Sequence, residues 1–172
     1  MDYSEIIDAT TPVAIELFGK VSAVCHVYTA GWERLTTAQR ALVLPLAVKL
    51  GVSKKRSDEI TAELDQLVPE DRRPALETEQ RELGVQSLSE TVAFACAFIP
   101  LMASGIEVGD SPLTFRGKFY PDYVSDLPER DLIEIANKLG AAMENPSSGE
   151  TSESISPPED APELSQIESI AA

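Results

Sequence analysis

The longest uninterrupted apolar run in the chain, residues 92–103, predicts the central element of the fold. It is shorter than the roughly 18 to 20 residues that span a bilayer, and runs of about 10 to 14 are typical of a helix buried within a domain. Ser87 and Glu90 before the run are spaced as in a capping box, and Gly105 lies where a helix normally ends. The pattern therefore predicts a central helix over residues 88–104.

Apolar residues at helical spacing predict two helices before the central one. The first begins with a Thr-Pro pair at 11–12, because proline is favoured in the first turn of a helix. Its buried stripe recurs every three to four residues and consists of Val13, Leu17, Val21, Val24 and Tyr28. The second helix follows a capping box formed by Thr36 and Gln39 and ends at Gly51, with a bend or break at Pro45.

Weaker patterns lie between the second helix and the central one. A third helix is predicted from Ser53 or Ser57 to Pro69, since apolar residues there are spaced three or four apart among charged ones. Residues 74–84 have only a thin apolar stripe, which is typical of a short surface helix.

The pattern changes after the central helix. Residues 106–120 alternate between apolar and polar types and are rich in aromatic side chains, which predicts a small β-hairpin turning at Arg116-Gly117. Residues 125–140 return to helical spacing and predict a last helix. Together the patterns predict a mainly α protein: a single helical domain over residues 1–143, with about five helices and the small β-hairpin.

The last segment, residues 144–172, has a different composition. It contains seven Asp and Glu, no Lys or Arg and no aromatic residue, so it cannot bury enough apolar surface to offset the entropy of ordering it. We therefore expect a disordered acidic tail. Near its end, Leu164, Ile167 and Ile170 are three residues apart and would line one face of a short helix, which makes them a candidate partner-docking peptide. An accidental spacing is the alternative.

Charge narrows the range of partners. The whole chain has a net charge of −15, and residues 1–143 carry −8 of it. A field of this sign opposes binding to nucleic acid or anionic lipid, so we expect a protein partner and no membrane. The oligomeric state stays open. The start of the chain is acidic where a secretory signal would be basic, which predicts a cytoplasmic location.

The sequence contains few groups typical of catalysis. His26 is the only histidine and lies beside Cys25, but neighbours on a helix point about 100° apart and cannot form a nucleophile–base pair. No CxxC, HExxH, P-loop or GxGxxG motif is present, so no metal or cofactor is predicted. Many pairs of carboxylates could meet, and nothing selects one. We expect no enzymatic activity, and we expect Cys25 and Cys96 to be free thiols.

One stretch resembles the helix-turn-helix of bacterial and phage regulators. Residues 46–60 have a small residue, Ala47, at the helix contact and a glycine, Gly51, in the position of the turn. The resemblance implies that the second helix enters the major groove of DNA. The residues it would bring to DNA are Lys54, Lys55 and Arg56.

A second resemblance is to small phage proteins of virion assembly, including tail assembly chaperones. It rests on Leu-Thr-Phe-Arg-Gly-Lys-Phe-Tyr at 113–120, followed by Asp-Leu-Pro-Glu at 126–129 and a helix to residue 139. The resemblance implies an assembly factor or structural component without enzymatic activity, and a virion-associated location. It assigns no binding residue.

These observations predict a non-enzymatic protein that acts through protein–protein interaction, as an adaptor, an assembly chaperone or a structural component. The alternative is a helix-turn-helix regulator that binds DNA.

Overall fold

A computed structural model describes residues 3–144, with side chains from Glu5 onward. The elements in chain order are α1 (Tyr3–Ile7), β1 (Thr10–Leu17), β2 (Val21–Tyr28), a 3-10 turn (Gly31–Arg34), α2 (Thr37–Leu64), α3 (Arg73–Met102), β3 (Ala103–Val108), β4 (Ser111–Pro112), a second 3-10 turn (Val124–Asp126) and α4 (Glu129–Glu144). Within the described residues, the strands form one antiparallel sheet in the order β1-β2-β3-β4. The prediction of a mainly α domain with about five helices is therefore wrong, since residues 3–144 combine four α-helices with a sheet.

The first predicted helix is wrong, because residues 10–28 form the antiparallel pair β1–β2. The residues that alternate inward are Ile15, Leu17, Ala23, Cys25 and Val27. This period of two competes with the spacing of three to four that suggested a helix, and the many β-branched residues of the segment favour the strand. His26, on the other face of β2, therefore points away from the core.

The turn between β1 and β2 favours glycine at position 19. Phe18 and Gly19 both have positive φ, 54° and 62°. A Cβ on Gly19 would lie 2.8 Å from the guanidinium nitrogens of Arg130, and its φ is one that other residues rarely adopt. The Phe18 amide donates a hydrogen bond to Oδ1 of the buried Asp131 at 2.8 Å. The first turn of α4 therefore holds the β1–β2 turn in place.

Helices α2 and α3 form an antiparallel helical hairpin. The predicted capping box is confirmed, since the Thr36 amide donates to Gln39 Oε1 and the Gln39 amide donates to Thr36 Oγ1. The predicted end at Gly51 is wrong, because α2 continues to Leu64 as one helix of 28 residues, about 42 Å long. The break at Pro45 is absent. Its ring is exposed, so water can satisfy the carbonyl that the missing amide leaves free.

The central helix is longer than predicted. Residues 88–104 were expected to form it, but α3 begins at Arg73, so the predicted surface helix over 74–84 is its first half. Ser87 and Glu90 lie in the middle of this helix and do not cap it. The C-terminal half lies under the sheet, and β3 follows Met102 without a loop.

The position of the predicted β-hairpin is wrong, as the pairing of β3 and β4 shows. Strand β3 pairs with β2, Cys25 opposite Ile106, and with the short β4, Val108 opposite Ser111, so the chain turns between β3 and β4 rather than at Arg116. Arg116 and Gly117 do form a two-residue turn with positive φ at both positions. Phe115 and Lys118 close it with two backbone hydrogen bonds, outside the sheet.

The core lies between the sheet, the C-terminal half of α3 and α4. Its members include Leu17, Phe98, Ile99, Met102, Ile106, Tyr123, Leu132, Ile135 and Leu139. Phe98 stacks on Phe94, with ring centroids 4.9 Å apart, and contacts Trp32 at 5.7 Å. Both cysteines are free, as predicted; burial raises the pKa of the Cys25 thiol to about 12. The predicted tail and its docking peptide lie outside the described residues.

Candidate functional site: the outer face of helix α2

Helix α2 has apolar residues on two opposite sides. One side faces α3 and includes the buried residues Val43, Ser53 and Ile60. The opposite side is a stripe that we call the α2 outer face, and its members are Ala41, Leu44, Pro45, Val48 and Val52. At about 100° per residue, these five positions fall within roughly a third of the helix circumference. All are exposed; 64% of both Val48 and Val52 is open to solvent.

The chain around this stripe is basic. Residues 34–57 contain no Asp or Glu, in a protein with a net charge of −15. The basic residues of this segment are Arg34, Arg40, Lys49, Lys54, Lys55 and Arg56. Lys49 lies at one margin of the α2 outer face, and Arg40 and Lys55 lie at its N-terminal and C-terminal ends. The result is an apolar stripe with positive charge at one margin and at both ends.

Two of the six basic residues are occupied by the fold. Arg34 Nε pairs with Asp8 at 3.1 Å and its guanidinium lies over the Tyr28 ring. Arg56 Nε pairs with Glu79 of α3 at 2.8 Å. The other four, namely Arg40, Lys49, Lys54 and Lys55, have no carboxylate within 4.0 Å among the side chains described from Glu5 to Glu144. Arg40 Nη2 donates to the Trp32 carbonyl at 2.9 Å, so the three lysines are the basic residues available to an incoming group.

The contact between α2 and α3 is partly polar, and its hydrogen bonds and ion pair fix which side of α2 is exposed to solvent. Ser53 Oγ donates to Glu90 Oε2 at 2.6 Å, and Gln86 Nε2 donates to Glu90 Oε1 at 2.9 Å. These two hydrogen bonds stabilise the ionised carboxylate and lower the pKa of Glu90. With Arg56–Glu79 farther out, they hold the register of the helical hairpin, so α2 cannot rotate its stripe inward without breaking them.

We expect Ser53→Ala to raise the pKa of Glu90 towards its ordinary value. Because the folded-state pKa is lowered, the stabilisation is present above the unfolded pKa and is lost as pH falls through the folded one. Carboxyl NMR titration of Glu90 measures this. Ser57→Ala, one turn along α2, is the control and should leave the titration unchanged. An unaltered Glu90 midpoint in Ser53→Ala would mean that the bond does not persist in solution.

A concave region lies between β1, α3 and α4. It has a volume of about 530 Å³ and is lined by Glu16, Leu88, Glu129, Arg130, Ile133 and Glu134. Three carboxylates face one guanidinium there, so the groove is acidic. No group of three or more His, Cys, Asp or Glu within residues 3–144 is placed to hold a metal ion.

Helix α3 is long and apolar enough to cross a membrane by length and composition alone, a property that the 12-residue apolar run did not predict. Only 22% of its most apolar window is buried. Phe98, Ile99 and Met102 of that window belong to the core, and Glu90 within it pairs with Ser53. These contacts are those of a helix that packs into a folded domain on one side and is exposed on the other.

The residues singled out from the sequence lie in different places. His26 and Cys25 point to opposite faces of β2, and His26 Nε2 lies 3.0 Å from Glu107 Oε2 of the neighbouring strand. Residues 46–60 do not form a helix-turn-helix, because Gly51 lies inside α2 and no turn separates two helices there. Lys54 and Lys55 are exposed on the same helix. Leu164, Ile167 and Ile170 lie outside the described residues.

The α2 outer face was missed because the second helix was predicted to bend or break at Pro45 and to end at Gly51, which divides the stripe between separate elements. One signal in the sequence could have found it: the absence of any acidic residue from 34 to 57 in a strongly acidic chain. Comparison of the chain with protein-family models, with curated proteins and with solved structures gave no match in any of the three.

Proposed function

We propose that the protein is a non-enzymatic interaction module that binds a partner protein on the α2 outer face. The occupant is an amphipathic helix of the partner whose apolar side carries acidic margins. The observation that carries the proposal is the exposed stripe Leu44, Val48 and Val52 within a segment that has basic residues and no acidic one. An adaptor, an assembly chaperone or a structural component would each use such a surface.

Helix packing supports this form of recognition. Leu44, Val48 and Val52 are four residues apart, which is the spacing of the ridge that a neighbouring helix packs against. A partner helix laid on the stripe would complete a three-helix arrangement with α2 and α3. Contiguous exposed apolar surface of this kind marks interaction sites on soluble proteins.

Charge supports a protein partner over other polymers. Lys49 at one margin and Lys55 at the C-terminal end of the stripe would attract acidic side chains, which raises the association rate and fixes the register of the helix. The rest of the chain carries a large negative charge, which opposes a duplex or an anionic bilayer approaching the hairpin. The resemblance of residues 113–139 to virion-assembly proteins is consistent with this role and stays a prediction.

Site-specific photo-crosslinking in the native host tests the proposal. The crosslinker p-benzoylphenylalanine replaces Val48, and in a matched control it replaces Val85, an equally apolar residue of α3 that is 70% exposed but lies outside the basic segment. We expect a discrete protein adduct from Val48 and none from Val85. Mass spectrometry should place the crosslink in an amphipathic, Asp/Glu-rich segment of the partner.

The charge requirement is tested in the same cells. Lys49→Glu with Lys55→Glu should reduce the Val48 adduct strongly without changing the melting temperature, because both side chains are exposed. Equal adducts from Val48 and Val85, or an adduct insensitive to charge reversal, would contradict the proposal. So would a lipid adduct, or salt-dependent binding of purified protein to duplex DNA that Lys55→Glu abolishes.

A further inference from the structure

The chain itself contains a segment that matches the occupant expected on the α2 outer face. Residues 163–170 have three apolar side chains, Leu164, Ile167 and Ile170, at a spacing of three. Glu163 and Glu168 lie among them, and residues 144–172 contain seven acidic residues and no basic one. The most basic segment of the chain and the end of its most acidic segment therefore both have apolar residues at helical spacing.

We propose that residues 163–170 dock on the α2 outer face of the same molecule and compete there with the partner. This inference rests on the proposed function for its regulatory meaning, but the docking itself does not require a partner. Leu164, Ile167 and Ile170 cover the stripe formed by Leu44, Val48 and Val52, and the acidic residues pair with Lys49 and Lys55.

Helix α4, after which the tail begins, ends near the N-terminus of α2. The Met143 side chain lies 3.3 Å from the position that a Cβ on Gly31 would occupy. Gly31 begins the 3-10 turn that leads into α2 at Thr37. From there, Val48 is eleven residues along the helix, about 17 Å at 1.5 Å per residue.

The length of chain after Glu144 is sufficient to reach the stripe. Nineteen residue steps separate Glu144 from Glu163, which gives a maximum reach of about 63 Å when extended, at about 3.3 Å each. As a flexible chain, the same segment has a root-mean-square span of about 24 Å. Because this span is close to the distance required, the effective concentration of the docking segment is on the order of 1 mM.

A weak contact suffices at this effective concentration. Three apolar side chains and two charge pairs form a small interface, for which a dissociation constant of about 0.1 to 1 mM is reasonable. The tail would then cover the stripe half of the time or more. A partner that binds the same surface would be weakened by about 2- to 11-fold.

Photo-crosslinking of the purified full-length protein tests the docking. The crosslinker replaces Ala171, which lies seven residues after Leu164 and so on the same helical face, and a control protein has it at Ser152. We expect an intramolecular crosslink from Ala171 to residues 40–55 in the monomer, independent of protein concentration. The Ser152 control should give scattered, low-yield products.

Charge reversal provides the decisive comparison. Lys49→Glu with Lys55→Glu should lower the yield of the crosslink, and adding Glu163→Lys with Glu168→Lys should restore it. Three results would overturn the proposal: equal products from Ala171 and Ser152, no effect of charge reversal, or adducts formed only between two molecules. The last would assign the docking segment to a second copy of the chain.

The partner adduct at Val48 separates this inference from the proposed function. Ile167→Asp should increase that adduct by about 2- to 11-fold, because the tail no longer competes. An unchanged adduct together with a failed tail crosslink would refute the docking and leave the proposed function standing. A tail crosslink without any partner adduct, even in Ile167→Asp, would refute the proposed function alone.

Discussion

Phe98→Ala should lower the free energy of unfolding by about 3 to 5 kcal/mol. Phe98 is 3% exposed, and its ring contacts both Phe94 and Trp32, so truncation leaves a cavity where α3 meets the 3-10 turn before α2. Typical domains have a stability of about 5 to 15 kcal/mol, so this loss is a large share of the total. Denaturant unfolding followed by circular dichroism measures it.

Phe119→Ala is the matched control, since it removes the same atoms from a side chain that is 67% exposed. Its free energy of unfolding should stay within about 0.5 kcal/mol of wild type. Equal midpoints for the two variants would show that the core between α3 and the sheet is assigned wrongly.

Ile15→Ala should lower the free energy of unfolding by about 2 to 5 kcal/mol. Ile15 is 5% exposed and faces the core from β1. In a helix over residues 12–30, the same side chain would point about 200° away from Val13 and lie in solvent, where truncation has little effect. The variant therefore distinguishes the strand from the helix that the apolar spacing first predicted.

Ile6→Ala is the control for this variant, because Ile6 is 52% exposed in α1. We expect its denaturation midpoint to match wild type closely. A silent Ile15→Ala would favour the helix and contradict the β1–β2 pair.

The errors in predicting the bounds of α2 share one physical cause. Pro45 and Gly51 are local helix breakers, and the sequence rule ends a helix at such residues. Contacts with α3, including Ser53–Glu90, keep α2 continuous through both, since they outweigh costs of about 1 kcal/mol for a glycine and about 3 kcal/mol for a proline. The predicted capping box at Thr36 was confirmed, whereas the one predicted at Ser87 and Glu90 lies inside α3.

The first strands were mispredicted for a different reason. Val13, Leu17, Val21 and Val24 fit a helical stripe, and only the partner strand reveals that Ile15 and Cys25 face the same core. Periodicity in a single segment cannot distinguish the two when both sets are apolar.

The basic charge of the candidate site could be predicted from the sequence, but its position on α2 could not. The absence of acidic residues from 34 to 57 is visible in the sequence. However, α2 is apolar on several sides, and such a helix is usually taken to be buried all round. Which valines are exposed depends on the register with α3, which Glu90 and Glu79 fix from the other helix.

The helical hairpin is inserted between β2 and β3, whose residues Val27 and Ala103 pair directly. The sheet therefore closes at the base of the hairpin, and the outer turns of α2 and α3 contribute little to its pairing. Seven residues make about two turns of helix, so equal insertions or deletions of seven in both arms would keep their facing sides in phase. The length of the helical hairpin can thus change during evolution in steps of about 10 Å while the sheet and its core remain as they are.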